Sequence, residues 1–384
     1  MPILPPPTRE TAAPHDLVSA PHMQPVEPTR AAPATGGTGD TGSATPVVSF
    51  DGVLAAAEAL AAHLVPTPTW RYAALSHAVG RDVVVKHENM NPTGSFKVRG
   101  GLTLASRLDA DERSAGLVTC STGNHAQSIA FAARVAGTRA VIVMPACAPS
   151  VKVDAVRALG ADVVIEGPTL AEASAHARHL AETSGMRFVN PGNDPAIIHG
   201  HATAYLELLQ SNPGIDEIYV PIGSGSGAAG ACLVRDAIAP HVRVIGVQSD
   251  GATAAYDSWM TGFMQSRPAT TRVSGLATAH GFETPQSIMR GDAGDAGGAG
   301  SLGLQGFDLV TDDEIDAAAT LLARHARVLA EGAGAAALAG LVARQGTQHG
   351  TTGLNARSSG TAAVVVTGGN VSADEWARLA AAMS

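Results

Sequence analysis

Aromatic residues are scarce in this chain of 384, at 4%, and charged residues make up only 15%. Cysteine is scarcer still. Cys120, Cys147 and Cys232 are scattered, which gives neither a disulfide framework nor the paired spacing of a zinc site. No run of about 20 apolar residues occurs, so membrane insertion is not expected. No charged stretch leads into an apolar one at the start, so no secretory signal is read and a cytoplasmic location is expected. The net charge of −9 comes without any basic cluster, which argues against nucleic acid as a partner. Lysine is the sharpest deficit: among 25 basic residues only Lys86, Lys97 and Lys152 are lysines. Arginine stays protonated, whereas lysine can lose its proton and act as an amine nucleophile.

Proline is concentrated at one end. Residues 1–46 hold 10 of the 23 prolines, with Gly, Thr and Ser between Gly36 and Thr45. Such a segment buries too little apolar surface to offset its ordering entropy and reads as a disordered arm. Beyond it, short apolar runs read as strands: Val83–Lys86, Leu117–Cys120, Ala140–Met144, Val163–Ile165, Ile218–Ile222, Val244–Val247 and Ala363–Val366. Amphipathic stretches between them read as helices, among them Ser150–Leu159, Leu170–Thr183 and Glu314–Ala330. Gly291–Gly303 and Gln345–Gly360 read as surface loops. Alternation of strand and helix predicts an α/β fold with parallel sheets covered by helices, functional loops lying at the strands' carboxyl ends.

Four such loops carry chemistry. The first, His87–Gly101, contains the turn Asn91-Pro92-Thr93-Gly94, and Ser95 reads as the N-cap of the next helix. Lys97 then falls in the first helical turn, where helix polarity and desolvation both disfavour an ammonium. An amine so placed can form a Schiff base; a solvated lysine is the plain alternative. The second loop, Ser121–Gln127, opens a helix whose free N–H groups suit a carboxylate or phosphate, with Asn124 as a further donor. It could equally be an ordinary capping turn, and His125 either a general base or a packing residue. The third, Pro221–Gly230, offers backbone N–H groups and serine hydroxyls to a phosphate. Gly225, Gly227 and Gly230 also satisfy G-x-G-x-x-G, with Asp250 about 20 residues on, so a dinucleotide remains open. In the fourth, Val364–Asn370, the Thr367 hydroxyl could bond a ring nitrogen, or the loop could be a simple glycine turn.

In order and spacing the four loops resemble the fold-type II pyridoxal phosphate (PLP) enzymes, most closely the serine/threonine dehydratases and their serine racemase relatives, from Val53 to Asn370. The resemblance implies a fold like the tryptophan synthase β subunit, with two three-layer αβα domains. The large domain would comprise 47–107 and 196–384, and the small one 108–195. It makes Lys97 the Schiff-base lysine and sets Phe96 beside the cofactor ring. Asn124 meets the cofactor's phenolic oxygen, while Ser121, Thr122, Asn124 and His125 take the substrate carboxylate. Gly223, Ser224, Gly225, Ser226 and Gly227 hold the phosphate, and Thr367 meets the pyridine nitrogen. Glu331 matches a family glutamate near the cofactor whose role here is open. A hydroxyl at the ring nitrogen weakens the electron sink and favours elimination. The implied reaction is dehydration and deamination of a small β-hydroxy amino acid, such as L-threonine or L-serine, to a 2-oxo acid and ammonia. A homodimer is implied as well.

Within the resemblance, Val98-Arg99-Gly100 after the lysine and His125 after Asn124 favour a dehydratase over the β-replacement synthases, which usually place an acidic residue and Thr-Gly there. Thr122 stands where the racemases use serine as second base. Gln248 and Ala254 stand where metal-dependent relatives place carboxylates, so no metal is expected. The chain ends at Ser384, soon after the fourth loop, so the regulatory domain of the isoleucine-inhibited enzymes is not expected. Rival readings are a nicotinamide-dependent oxidoreductase built on Gly225–Gly230 and Asp250, and a binder of PLP or amino acids without activity. A β-replacement synthase or a specialised dehydratase is another, with Gly275–Glu283 bordering the substrate pocket.

Overall fold

The computed structural model describes residues 47–292, 301–350 and 360–383. The proline-rich segment 1–46, and 293–300 and 351–359 within the two glycine-rich breaks, lie outside the described residues. The strands are β1 (Thr69–Arg71), β2 (Val83–Lys86), β3 (Leu117–Cys120), β4 (Ala140–Met144), β5 (Asp162–Ile165), β6 (Arg187–Phe188), β7 (Ile215–Pro221), β8 (Arg243–Ser249), β9 (Gly306–Val310) and β10 (Thr361–Val365). They form a six-stranded sheet ordered β1-β2-β10-β7-β8-β9 and a four-stranded sheet ordered β5-β4-β3-β6. Every pairing is parallel except β1 with β2, at the edge of the larger sheet.

Side-chain alternation along the strands divides each core in two. In the larger sheet Val84, Ile218, Val220 and Val244 face Ala202, Tyr205 and Cys232 of the helices Pro195–Ser211 and Ser226–Ile238. Val83, Val85, Tyr219 and Ile245 face the opposite way, toward Leu338, Leu341 and Ile315 of the helices Gly332–Gly350 and Asp312–Leu321. In the smaller sheet Leu117 and Ile142 meet Ile129 and Ala130, whereas Val118 and Val141 meet Ala173 and Ala177. Burial on both faces is why the strands read as unbroken apolar runs.

Several expectations need correction. Ser95 is not an N-cap: the helix Lys97–Ser106 has Phe96 at that position, without a side-chain bond. Ser95 is instead buried in a backbone bridge to Gly368, and Phe96 N–H donates to Thr367 O at 2.9 Å. Tertiary pairing with the fourth loop thus overrides the local capping preference. The helix expected over Glu314–Ala330 ends its α-helical part at Leu321, continues as a π-helical turn Leu322–Ala326, and stops at Arg327 with φ 59°. Gln345–Gly360 is not all loop, because the helix from Gly332 runs on to Gly350. Strands β1, β6 and β9 escape a search for apolar runs; β9, for example, carries Asp308 paired with Arg344 at 2.6 Å.

Candidate active site

The carboxyl ends of the parallel strands β2, β7 and β10 bring three of the loops together, and the end of β3 contributes the fourth. Three sets of contacts join them. The first and fourth are tied by the Ser95–Gly368 bridge and by Gly369 N–H to Gly94 O at 2.9 Å. The second and fourth meet where Asn370 Nδ2 donates to Asn124 Oδ1 at 2.7 Å. The first and third meet where Lys97 Nζ lies 3.4 Å from Ser226 Oγ.

Lys97 opens its helix and is partly buried, its Nζ lying 4.9 Å from the centre of the Phe96 ring. Burial alone pushes its ammonium down to about 8, and no carboxylate opposes the shift. The other two lysines are differently occupied. Lys86 is buried with Glu207 Oε2 at 2.5 Å, and Lys152 reaches Ser274 Oγ at 3.3 Å. A partly buried amine without a counterion, its ammonium pushed down to about 8, is poised to act as a nucleophile toward an aldehyde.

Beside it, Gly223–Gly227 turns into the helix Ser226–Ile238 through Gly225, whose φ of 85° is left-handed. Among the described residues the N–H groups of Ser224 to Ala228 have no protein acceptor, and they converge with the helix's positive end. Gly223 is held by Thr278 Oγ1 donating to its carbonyl at 3.1 Å, and a Cβ there would lie 2.5 Å from Gly275 O. Gly227 packs under Phe96, where a Cβ would meet the ring at 3.2 Å. Such a cradle suits an anion such as a phosphate. Ser224 donates to Pro191 O or shares a hydrogen bond with Ser226, both at 3.1 Å.

Ser121 Oγ accepts from Gly123 N–H at 3.2 Å, shaping the turn before the helix Asn124–Ala136. Asn124 Nδ2 donates to Glu331 Oε1 at 2.5 Å. Burial raises that carboxyl to about 7, against the Asn124 bond and with the charge of Glu375 adding to the rise. The His125 ring turns away from the cleft, its Nε2 3.2 Å from Thr119 Oγ1, and burial with the Lys97 charge lowers it to about 3. Only its backbone N–H is left for an anion. Thr367 Oγ1 donates to Ala333 O at 3.2 Å and would have to turn to serve a ring nitrogen as donor. Reading the sequence assigned no role to Asn370 or His201. Asn370 sat in a recognised loop but looked like turn chemistry; His201 lies in mid-helix with no local signal.

A partly buried amine without a counterion, beside a glycine loop with free N–H groups, is the arrangement that a cofactor carrying both an aldehyde and a phosphate requires. The residues present fit that group. The chain belongs to the family of pyridoxal-phosphate dependent enzymes, whose family model matches residues 60–368. It is 38% identical over 276 residues to the biosynthetic L-threonine dehydratase of Pasteurella multocida, covering 72% of this chain and 52% of that one. It is 33% identical over 300 residues to the L-threonine ammonia-lyase of Thermotoga maritima, covering 77% and 69%. The chain therefore spans about half the length of the first of these relatives. Among solved structures, the processed form of threonine deaminase isoform 2 from Solanum lycopersicum has a TM-score of 0.77 at 28% identity, covering 86% of this chain and 87% of its own. Maize serine racemase has 0.78 at 27%, covering 88% and 98%. The nicotinamide reading loses its ground, since it leaves Lys97, Asn124 and Thr367 without a role and Asp250 is exposed at the surface.

Proposed function

We propose that the chain is a PLP-dependent lyase that removes the β-hydroxyl and α-amino groups of a small β-hydroxy amino acid, L-threonine or L-serine, and releases a 2-oxo acid and ammonia. The observation that carries this reading is the Lys97 amine, partly buried without a counterion, 3.4 Å from the hydroxyl of the glycine loop. The names of the relatives and of the threonine deaminase structure support the reaction class. Bound PLP supplies an aldehyde for the amine and an electron-withdrawing ring that acidifies the α-carbon. Gly223–Gly227 would hold its phosphate, Asn124 its phenolic oxygen and Thr367 its ring nitrogen. Ser121, Thr122 and the N–H groups opening the Asn124 helix would orient the substrate carboxylate. Lys97 Nζ, titrating at about 8, is suited to take the α-proton near neutral pH. In this reading the small domain is 108–195 and the large one is 47–107 with 196–384.

We also propose a cytoplasmic homodimer. The unpaired state of Cys120, Cys147 and Cys232 suits a reducing compartment. Exposed Trp70, Met90 and Leu329, at 49%, 56% and 41%, line one pocket beside the edge strand β1, which suits a covered face. Light scattering that returns a monomer overturns the dimer.

The central test is Lys97→Ala. The purified variant is expected to lose the visible absorbance band of the bound cofactor and all keto-acid release from threonine and serine. Undiminished turnover would sink the assignment, and a wild-type band without ammonia release would leave a binder in place of an enzyme.

A further inference from the structure

His201 lies within the helix Pro195–Ser211 and is fully buried. Its Nδ1 is 2.9 Å from Ser226 Oγ, and its ring stacks on Phe96 with centroids 4.5 Å apart and a 40° tilt. The other nitrogen, Nε2, is buried against the first turn of the Lys97 helix and makes no hydrogen bond of good geometry, although the Lys97 backbone lies near enough to act on the ring; a Cβ on Gly100 would approach Nε2 to 2.7 Å. The imidazole is thus clamped between the lysine helix and the glycine loop. Burial, with Lys97, His125 and Arg99 nearby, keeps it uncharged, so it carries a single N–H.

Ser226 Oγ is the meeting point of Lys97 Nζ at 3.4 Å, Ser224 Oγ at 3.1 Å and His201. A serine hydroxyl has one proton and two lone pairs. A phosphate dianion only accepts, so Ser226 serves it only if that proton is not spent on the imidazole.

We infer that His201 is a positioning residue for the cofactor phosphate: with the proton on Nδ1 it donates to Ser226 Oγ, which aims the Ser226 hydroxyl proton into the glycine loop. The inference rests on reading Gly223–Gly227 as the phosphate loop. It separates His201 from the catalytic groups, because the imidazole acts on the cofactor only through Ser226. A side-chain amide in the same place offers an equivalent N–H, whereas a hydrocarbon does not.

The experiment is a PLP titration of the full-length chain, stripped of cofactor, following the visible band in the wild type, Ser226→Ala, His201→Leu, His201→Gln and the double variant Ser226→Ala/His201→Leu. Ser226→Ala and His201→Leu are each expected to raise the dissociation constant by about tenfold, the effect of losing one charge-assisted hydrogen bond. His201→Gln is expected to stay within about threefold of wild type. The double variant should bind no more weakly than Ser226→Ala alone, because both changes remove the same bond. A wild type that takes up no PLP defeats the cofactor reading itself. A Ser226→Ala protein binding like wild type defeats the phosphate-loop assignment and the inference with it. With those two intact, an unchanged His201→Leu, a His201→Gln as weak as His201→Leu, or an additive double variant overturns the role of His201. Should His201→Leu not fold, His201→Met, equally without a donor, takes its place.

Discussion

Arg99 grips Glu88 through two N–H groups, Nε to Oε2 at 2.7 Å and Nη2 to Oε1 at 2.9 Å, and neither side chain reaches solvent. Glu207 accepts from Arg99 Nη1 at 2.7 Å and from Lys86 Nζ at 2.5 Å, which ties β2 and the helix Pro195–Ser211 to the turn that presents Lys97. Burial pushes the Glu88 carboxyl up, but the Arg99 charge and hydrogen bonds prevail and hold it below the ordinary value. Replacing Arg99 by Met removes the main partner of that carboxylate and leaves it Lys86 Nζ at 3.8 Å and the Thr67 and Asn91 hydrogen bonds. The expected loss is about 2–4 kcal/mol in urea unfolding at pH 7, short of the full cost of an unpaired buried charge. Because the folded Glu88 is depressed, the loss should shrink as pH falls below the ordinary carboxylate range. Arg99→Lys should recover only part of it, since an ammonium cannot form the fork. An Arg99→Met protein as stable as wild type would remove this network from the account of stability.

Lys97 gives the cofactor-free protein a pH signature. Its ordinary value of 10.5 falls to about 8 on burial, so between those limits the unfolded chain binds more protons than the folded one. Stability therefore rises with pH across that window. Relative to Lys97→Met, the wild type should be less stable by about 3 kcal/mol below pH 8, with the gap closing toward pH 10.5. Thermal unfolding of both cofactor-free proteins along a pH series measures it. A pH-independent gap would mean that the amine is hydrated.

Glu331 has the opposite sign. Burial lifts it from 4.5 to about 7, so the folded chain binds more protons between those values and stability falls as pH rises through them. Glu331→Gln keeps an acceptor for Asn124 and removes the titration. The variant should gain on wild type from pH 4.5 to 7, by up to about 3 kcal/mol. Parallel stability curves for the two proteins would refute this.

Gly225 tests the cradle. Its φ of 85° is left-handed, and a Cβ would lie 2.9 Å from that of Pro285. Gly225→Ala should cost about 1–2 kcal/mol from backbone strain alone, and the purified protein should retain less PLP per chain. Gly214, where a Cβ has nothing within 4 Å, supplies the control substitution. Equal cofactor content in the two variants would speak against Gly225 as part of the phosphate site.

Much of this protein was determined by local sequence. The buried strands β2, β3, β4, β7, β8 and β10 read as apolar runs because both of their faces are covered. The loops after them are marked by glycine, serine and asparagine because close backbone approach and free N–H groups demand those types. Tertiary structure decided the rest. Ser95 looked like a cap until Gly368 paired with it, and His125 could be read as base or packing residue until folding set its buried ring against Thr119. The links Asn124–Glu331, Asn124–Asn370 and Ser226–His201 join residues from different elements. Nothing in a one-dimensional pattern records such neighbours, because desolvation and hydrogen bonding act between groups that only folding brings together.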